Sequence, residues 1–306
     1  MQYADVVIVG GAVVGSAAAF FLRSQANFKG SVLVVEKDFS YEKCATARSA
    51  ASIRHQFSTP ENIRMSQFGT DFIRNIGHHL AVDGDLPDVG FHEGGYLFLA
   101  TPAGRGIMES NHRVQRSLGV DVALLEPAQL RARFPWLATD DLVAGSLGLS
   151  GEGWLDAYGL LQAFRRKAVS LGAEYRQAQV TQVQRRGRTI ASVTLSDGTE
   201  LQADVLVYAT GYGSMNQFLA DIVSPDVADR VGKVWGLGSS TTKDPGPWEG
   251  ELRNMWKPTN QPQLWIHGGN LHQSRHYSQF LSLQLKARFE GIATPVYAQS
   301  AVHHLR

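Results

Sequence analysis

Residues 6–22 read V-V-I-V-G-G-A-V-V-G-S-A-A-A-F-F-L, and after a short linker residues 31–36 read S-V-L-V-V-E. Val6–Val9 is an apolar run of strand length, and the small residues after it predict a sharp turn. Gly15–Arg23 has the small and apolar residues of a helix that packs closely on a sheet, and Val32–Val35 is a second buried strand. The stretch predicts a β-α-β unit, and we expect the rest of the chain to fold around it.

The turn of this unit has the residue types of a dinucleotide-binding site. Gly10 permits a tight turn, and small residues at Gly11 and Ala12 let backbone N–H groups approach a pyrophosphate. Gly15 lets helix and strand pack closely, with the positive end of the helix dipole at the phosphates. Glu36, 21 residues after Gly15, can accept hydrogen bonds from a ribose diol, which favours FAD or NAD over NADP. A glycine-rich turn without a nucleotide is the alternative, and the spacing of strand, helix, strand and acid argues against it.

The composition excludes several classes of protein. The 306 residues carry a net charge of +1 from 29 basic and 28 acidic side chains, so no nucleic-acid surface is predicted. The single cysteine, Cys44, rules out a disulfide framework and favours a reducing compartment, which predicts a cytoplasmic location. Residues 6–22 lack a basic segment before them, so we interpret them as part of the β-α-β unit and not as a signal peptide. No membrane-spanning segment is predicted.

The loop after the β-α-β unit carries the most specific pattern. Residues 44–57 read C-A-T-A-R-S-A-A-S-I-R-H-Q-F, and residues 58–64 continue S-T-P-E-N-I-R. Together with the unit that ends in Glu36, this pattern resembles the D-amino acid oxidase superfamily of FAD enzymes, and within it the sarcosine oxidase and glycine oxidase branch. The resemblance implies FAD as the cofactor and a loop that wraps the flavin. It adds four predicted cofactor-binding residues, which are Lys37, Ser49, Ala50 and Ala51.

Two side chains are candidates for binding a substrate. In sarcosine oxidases an arginine in the matching I-R-H stretch holds the substrate carboxylate, and the resemblance transfers this role to Arg54. A guanidinium suits the role because it binds a carboxylate through two parallel hydrogen bonds and keeps its charge. The alternative is a surface arginine that caps the following helix. Tyr96, in a predicted strand at Gly90–Ala100, lines a substrate cavity in one interpretation and packs in the core in the other.

The middle of the chain is predicted to return to the first sheet. Helices are predicted at Pro102–Leu118 and Ala157–Leu171, the second with Arg165–Lys167 on its solvated side. Short strands follow at 178–183, 190–195 and 201–203, and then a buried strand at Asp204–Gly211. This meander resembles a segment that, in two-dinucleotide-fold flavoenzymes, makes one backbone contact to the adenine. The resemblance assigns that contact to Val180 and brings Ala209, Thr210 and Gly211 close to the cofactor.

The last third of the chain has a different composition. From about Tyr208 it resembles the C-terminus of bacterial flavin-containing monooxygenase-like proteins, through Y-A-T-G-Y-G-S-M-N at 208–216 and W-I-H-G-G-N at 265–270. The chain thus resembles a junction of two flavoprotein families near residue 207. A strand at Gln263–His267 and a helix at Leu271–Glu290 are predicted to close the flavin site. The turn between them adds three predicted cofactor-binding residues, which are Gly268, Gly269 and Asn270.

The predicted fold class is α/β, with a Rossmann-like FAD-binding domain and an inserted α+β substrate domain. The FAD-binding domain is expected at 1–80, 150–212 and 263–292. The substrate-domain insertion is expected at 81–149, and a shortened second insertion at 213–262.

The expected function is that of an FAD-dependent oxidoreductase. It would remove hydride from the carbon beside the amine of a small amino acid or N-methyl amino acid, with O2 or an electron carrier as the acceptor. No acid–base catalyst and no metal site is predicted. Three alternatives stay open. One is a monooxygenase-like flavoprotein, although no second G-x-G-x-x-G opens a β-α-β unit. The others are a catalytically impaired FAD-binding protein and an NAD-binding protein, the latter disfavoured by the motif at 49–57.

Overall fold

The computed structural model describes residues 3–187, 189–211, 215–232, 234, 254–268 and 271–295. The chain divides into two compact units, Met1–Thr210 and Gly211–Arg306.

The first unit contains both strands and helices. Its strands are β1 (Tyr3–Val9), β2 (Val32–Glu36), β3 (Ser52–Ile53), β4 (Leu97–Ala100), β5 (Val122–Leu125), β6 (Ala144–Gly148), β7 (Gly153–Trp154), β8 (Glu174–Gln177), β9 (Val180–Arg186), β10 (Thr189–Leu195) and β11 (Glu200–Tyr208). Its helices are α1 (Val13–Arg23), α2 (Pro60–Arg74), α3 (Ile76–His79), α4 (Arg105–Ser117), α5 (Pro127–Arg133) and α6 (Ala157–Ser170), with a 3-10 turn at Pro102–Gly104.

The main sheet has the strand order β8-β2-β1-β11-β10-β9. β1 pairs in parallel with β2 and β11, and β2 pairs in parallel with β8, whereas β9, β10 and β11 form an antiparallel meander. The register joins Val9 to both Val35 and Tyr208, so three strands end together where the Gly10 turn begins. Open α/β sheets bind ligands outside the carboxyl ends of their strands, and this edge is therefore the first place to look for a site.

Both faces of the main sheet are covered by apolar side chains. Because successive residues of a strand point to opposite faces, β1 and β2 need apolar residues at nearly every position, which explains their continuous apolar runs. On one face α1, α2 and α6 contribute three buried rings, with Phe164 5.6 Å from Phe20 and 5.4 Å from Phe72 between centroids. On the other face Val7 and Leu33 pack with residues of β10 and β11.

A smaller antiparallel sheet has the order β4-β6-β5 and packs with α4 and α5. A second short pairing joins β3 to β7, with Ser52 opposite Trp154 and Ile53 opposite Gly153. This pairing holds the loop after residue 44 against the segment that leads into α6. The segment 81–149 therefore has the mixed α+β content expected of an insertion, and the domain boundaries stay a prediction.

Two predicted strands need correction. The prediction at Gly90–Ala100 is wrong in its first half, because Gly90 and Gly95 have φ values of 56° and 74° and interrupt the extended backbone. The segments at 201–203 and Asp204–Gly211 form one strand, β11, which ends at Tyr208. That strand is also not buried throughout, since Val205 is 50% exposed and Tyr208 is 62% exposed.

The predicted solvated side of α6 is wrong for two of its three residues. Arg165 is half-buried, and its guanidinium lies 4.4 Å from the ring centroid of Phe39. The Lys167 ammonium donates to the backbone oxygen of Ala81 at 2.7 Å. Only Arg166 is exposed, and it pairs with Asp85 at 2.6 Å. This face of the helix therefore fixes neighbouring loops.

The second unit contains α7 (Met215–Ile222), α8 (Pro225–Val231) and α9 (Leu271–Phe289). Its core includes Met255 and Trp256, and Tyr277 of α9 stacks on Trp256 with 4.6 Å between ring centroids. The predicted strand at Gln263–His267 is wrong, because Gln263 has a φ of 64° and Ile266 alone pairs there, through an isolated bridge to Met255. Within the described ranges, the helices fall short of the length and apolar character that a membrane span requires.

Candidate cofactor and substrate site

The turn after β1 and the first turn of α1 pack so tightly that side chains do not fit at Gly10 or Gly15. Gly10 has a φ of 102°, and a Cβ there would lie 2.3 Å from the backbone oxygen of Ala209. A Cβ at Gly15 would lie 1.8 Å from the backbone oxygen of Gly10. The Ala209 N–H also donates to the oxygen of Val9 at 2.8 Å. The close packing of helix and strand predicted at Gly15 is present, and Ala209 lies directly against the turn.

The N-terminus of α1 offers an open set of N–H donors. Ala12 is the N-cap and makes no side-chain capping bond, and the first turn has no acidic residue. The Val13 N–H donates to Thr46 Oγ1 at 3.3 Å, which ties the loop after β2 to this helix end. The first N–H groups of a helix lack partners within the helix and lie at its positive end. A pyrophosphate is the kind of anion that such a helix end binds.

Glu36 lies buried at the end of β2, beside the turn. Its Oε2 accepts the Gly11 N–H at 2.8 Å, and its Oε1 accepts the Asp38 N–H at 3.0 Å. A carboxylate has about four acceptor positions, so two stay available to a ribose diol. The backbone oxygen of Glu36 accepts the Ala178 N–H at 3.0 Å, which places the segment leading to Val180 at the same end of β2. The predicted ribose and adenine contacts are thus neighbours in the fold.

Tyr41 is a residue of this region that sequence reasoning missed. Its side chain is 1% exposed, and its Oη has no hydrogen-bond partner among the described residues. The Oη lies 3.3 Å from the position that a Cβ would take at Gly11, and burial raises the pKa of Tyr41. Buried polar atoms are normally hydrogen-bonded, so an unsatisfied hydroxyl here fits a site completed by a polar ligand. Nothing in the local sequence marks this tyrosine as buried.

The loop at 44–57 leads from the turn to a cavity of about 550 Å³. Arg54, Phe57 and Tyr96 contribute to its walls, together with residues of α2. The Arg54 guanidinium lies 4.8 Å from the ring centroid of Phe57 and 5.4 Å from that of Phe98. No described residue pairs with this guanidinium through a hydrogen bond or an ion pair. Its N–H donors are therefore available to a ligand, and the described lining residues include no carboxylate, histidine or lysine.

His55 follows Arg54 in the chain but is buried behind the cavity. Its Nε2 lies 2.8 Å from Thr70 Oγ1, and Thr70 Oγ1 donates to the backbone oxygen of Gly151 at 3.0 Å. Because Thr70 has one proton and gives it to Gly151, the Nε2 of His55 carries the proton shared with Thr70. Burial lowers the pKa of His55, which keeps the ring neutral. This histidine supports the loop and does not line the cavity.

Glu152 is the second residue missed by sequence reasoning. It lies in the G-E-G-W stretch at 151–154, is fully buried, and contacts the backbone of the Arg54 loop. A glutamate between two glycines is typical of a surface turn, so the local pattern gives no sign of its burial. Its partners are distant in sequence, and only the fold brings them together.

The structure gathers the predicted residues of the first unit in two places. Around the turn lie Gly10, Gly11, Ala12, Gly15, Glu36, Ala209 and Thr210, and at the cavity lie Arg54 and Tyr96. Lys37 follows Glu36 in the chain, Val180 follows the segment bonded to Glu36, and Ser49, Ala50 and Ala51 precede the cavity residues in the loop. Gly211 and Gly268 belong to the second unit, and Gly269 and Asn270 lie outside the described residues. The roles of all these residues stay predictions. No group of three or more potential metal ligands occurs in the part of the chain that the structure describes.

Comparison with known protein families shows to which family this chain belongs. The family model described as "FAD dependent oxidoreductase" (DAO) matches residues 5–270. The chain belongs to this family. The match confirms the predicted D-amino acid oxidase-type family and its cofactor, FAD. It also includes the predicted junction near residue 207, and the resemblance of the last third to monooxygenase-like proteins stays a prediction.

Two relatives show how much of a longer protein the chain covers. The FAD-dependent oxidoreductase domain-containing protein 1 of Xenopus laevis is 49% identical over 183 residues, which are 59% of this chain and 37% of that protein. Its homologue in Drosophila melanogaster is 33% identical over 271 residues, 85% of this chain and 52% of that protein. The chain therefore spans about half, or less, of the length of these relatives.

Two solved structures illustrate the fold that this chain shares. L-proline dehydrogenase from P. horikoshii superposes with a TM-score of 0.59 at 22% identity, over 76% of this chain and 58% of that one. Glycine oxidase from Geobacillus kaustophilus superposes with a TM-score of 0.56 at 23% identity, over 69% of this chain and 56% of that one. These likenesses confirm the predicted α/β fold class of the DAO family and show the fold alone.

Proposed function

We propose that this chain supplies the FAD site and the carboxylate-binding wall of an enzyme that oxidises a small amino acid or N-methyl amino acid beside its amine. One observation carries the proposal. The Arg54 guanidinium lies at a cavity and has no anionic partner among the described residues. The loop at 44–57 leads to this cavity from the cofactor turn. A cation with free donors at such a place favours a carboxylate ligand.

Each part of the site has a separate task in this proposal. FAD, when bound, supplies the acceptor for a hydride. The N-terminus of α1 would hold the pyrophosphate, and Glu36 would hold the ribose. Arg54 binds the substrate carboxylate and so orients the adjacent carbon, while Phe57 and Tyr96 help to exclude water. The described lining residues contain no carboxylate, histidine or lysine, so the substrate amine enters in its neutral form and releases its proton to solvent.

The remaining features of the proposal concern the acceptor and the location. Electrons pass from the reduced cofactor to O2 or to an electron carrier. A cytoplasmic location is supported by the single cysteine, Cys44, because a reducing compartment does not favour disulfides.

A second candidate function is FAD binding with impaired catalysis. Two observations favour it. The cofactor turn is well formed, whereas Arg54 is the one charged side chain among the described residues that line the cavity. Ligand pockets usually bury most of a small ligand. An open cavity would bind substrate weakly although FAD is held normally. The two candidates differ in whether a carboxylate ligand binds at all.

The proposal is tested by titrating the FAD-loaded protein with benzoate, a carboxylate that has no amine to oxidise. We expect Arg54→Ala to keep FAD and to weaken benzoate binding by roughly 2–4 kcal/mol, the scale for losing a desolvated charge-assisted pair. Arg54→Lys should restore part of the affinity, because an ammonium lacks the two-pronged geometry of a guanidinium. Arg48→Ala, which removes an exposed arginine from the same loop, is the control. Equal benzoate affinity in all four proteins would refute the role of Arg54.

A further inference from the structure

The Glu152 side chain accepts four hydrogen bonds in a fully buried position. Its Oε1 accepts the backbone N–H groups of His55 at 2.7 Å and Gln56 at 3.0 Å. Its Oε2 accepts the Gln56 side-chain amide at 2.9 Å and the backbone N–H of Tyr96 at 3.2 Å. Both oxygens are thus saturated by N–H donors, and no cation of the described residues pairs with this carboxylate.

These contacts join the two segments that carry the proposed substrate-binding side chains. His55 and Gln56 directly follow Arg54 in the chain, and Tyr96 lines the same cavity as Arg54. The Gln56 side chain adds a second link, because its amide also donates to the backbone oxygen of Tyr96 at 3.0 Å. The Gln56 amide oxygen in turn accepts the Ser146 hydroxyl at 2.6 Å. One buried carboxylate therefore fixes the distance between Arg54 and Tyr96.

The surroundings of Glu152 leave little room for another arrangement. A Cβ at Gly148 would lie 1.8 Å from its Oε2, so the neighbouring strand passes over the carboxylate with no side chain. A buried charge without a cation is tolerated only when hydrogen-bond donors replace water. All four donors here point at one carboxylate, and a carboxamide at the same place would set its own N–H donors against some of them.

We propose that Glu152 is a positioning residue for carboxylate binding: it holds the Arg54 loop and Tyr96 at the separation that a substrate carboxylate requires. The inference rests on the proposed function of Arg54. Glu152 does not line the cavity. It acts through backbone N–H groups and so fixes the backbone positions from which the Arg54 and Tyr96 side chains extend.

The test uses FAD-loaded Glu152→Gln and two readouts. The first is hydrogen exchange at the amides of His55, Gln56 and Tyr96, which we expect to become at least tenfold faster than in the parent protein. The second is benzoate affinity, which we expect to fall at least tenfold while FAD stays bound and exchange in β1 and β2 stays unchanged. Glu93→Gln is the matched control, because Glu93 pairs with Arg74 and accepts the Gly151 N–H next to Glu152, and its side chain makes no hydrogen bond with His55, Gln56 or Tyr96. It should keep the parent affinity for benzoate.

If Glu152→Gln does not fold, Gln56→Met serves instead, since it removes the side-chain link and keeps the three backbone contacts. It should then weaken benzoate binding severalfold. Faster exchange with unchanged benzoate affinity would overturn the inference, because Glu152 would be a structural residue only. Unchanged exchange would overturn it as well. Arg54→Ala in the same titration separates the two proposals: if it also leaves benzoate affinity unchanged, the function proposed for Arg54 fails, and this inference fails with it.

Discussion

The Gly11 N–H donates to the Glu36 carboxylate at 2.8 Å, so the turn after β1 is held against the end of β2 by a charge-assisted bond. The same carboxylate accepts the Asp38 N–H and keeps two acceptor positions in reserve. Glu36 therefore shapes the nucleotide turn before any ligand is bound, and is also placed to bind the ribose.

Replacing this carboxylate by an amide tests its double role. We expect Glu36→Gln to fold and to raise the Kd for FAD by roughly 10- to 100-fold, the scale for losing one charge-assisted hydrogen bond. The reason is that the amide nitrogen cannot accept from Gly11, Asp38 or a ribose hydroxyl. Equilibrium dialysis of the apoprotein with FAD measures the change. Glu174→Gln, on the exposed edge strand β8, is the control and should bind FAD as the parent does. Parent-like affinity in Glu36→Gln would rule out the ribose contact.

The packing of α1 on the turn predicts a steric effect at Gly15. A Cβ there would lie 1.8 Å from a backbone oxygen, so Gly15→Val must displace either the helix or the turn. We expect this variant to lose FAD, as measured by the flavin absorbance of the purified protein. Gly106→Val makes the same substitution at a helical glycine with open space around it, and should retain FAD. A yellow Gly15→Val protein would mean that the close packing is not needed for the cofactor.

The buried imidazole of His55 predicts a pH dependence of stability. Its pKa is lowered by burial from the ordinary value of 6.5, so the unfolded chain takes up a proton at a higher pH than the folded one. Stability from this group is complete above pH 6.5 and decreases as the pH falls toward the lowered pKa, by at most about 1.4 kcal/mol per pH unit. The free energy of unfolding is measured with urea between pH 7.5 and 5.5. It should decrease with falling pH in the parent and in His78→Asn, an exposed control, and it should decrease less in His55→Asn. Identical pH profiles in the three proteins would contradict the neutral buried ring.

The sequence was sufficient where structure depends on local pattern. The turn at Gly10–Gly15 and the carboxyl ends of β1, α1 and β2 follow from glycine spacing and apolar runs, because a few neighbouring residues determine them. The starts of β1 and α1, at Tyr3 and Val13, precede the predicted Val6 and Gly15. The resemblance of the A-T-G segment at 209–211 to flavoproteins predicts that its strand returns to the first sheet, and the structure shows that β11 pairs there with β1, some 200 residues away.

Local pattern failed where distant residues decide the structure. Glu152 is buried because donors from residues 55, 56 and 96 meet it, and none of them is near it in sequence. The apolar residues near Ile266 suggested a strand, yet in the described residues they gain only one bridge to Met255. A basic run on a helix is usually solvated and so predicts an exposed Arg165, whereas in the structure the ring of Phe39, from another loop, lies against it.

The most direct test is the absorbance spectrum of the purified protein during anaerobic addition of glycine, sarcosine and small D-amino acids. We predict bound, noncovalent FAD whose visible band bleaches with at least one of these substrates, and much more slowly in Arg54→Ala than in the parent. A colourless protein would contradict the cofactor site, and a flavin that bleaches equally in the parent and in Arg54→Ala would contradict the substrate site. A flavin that no amine bleaches would instead favour the impaired FAD-binding protein.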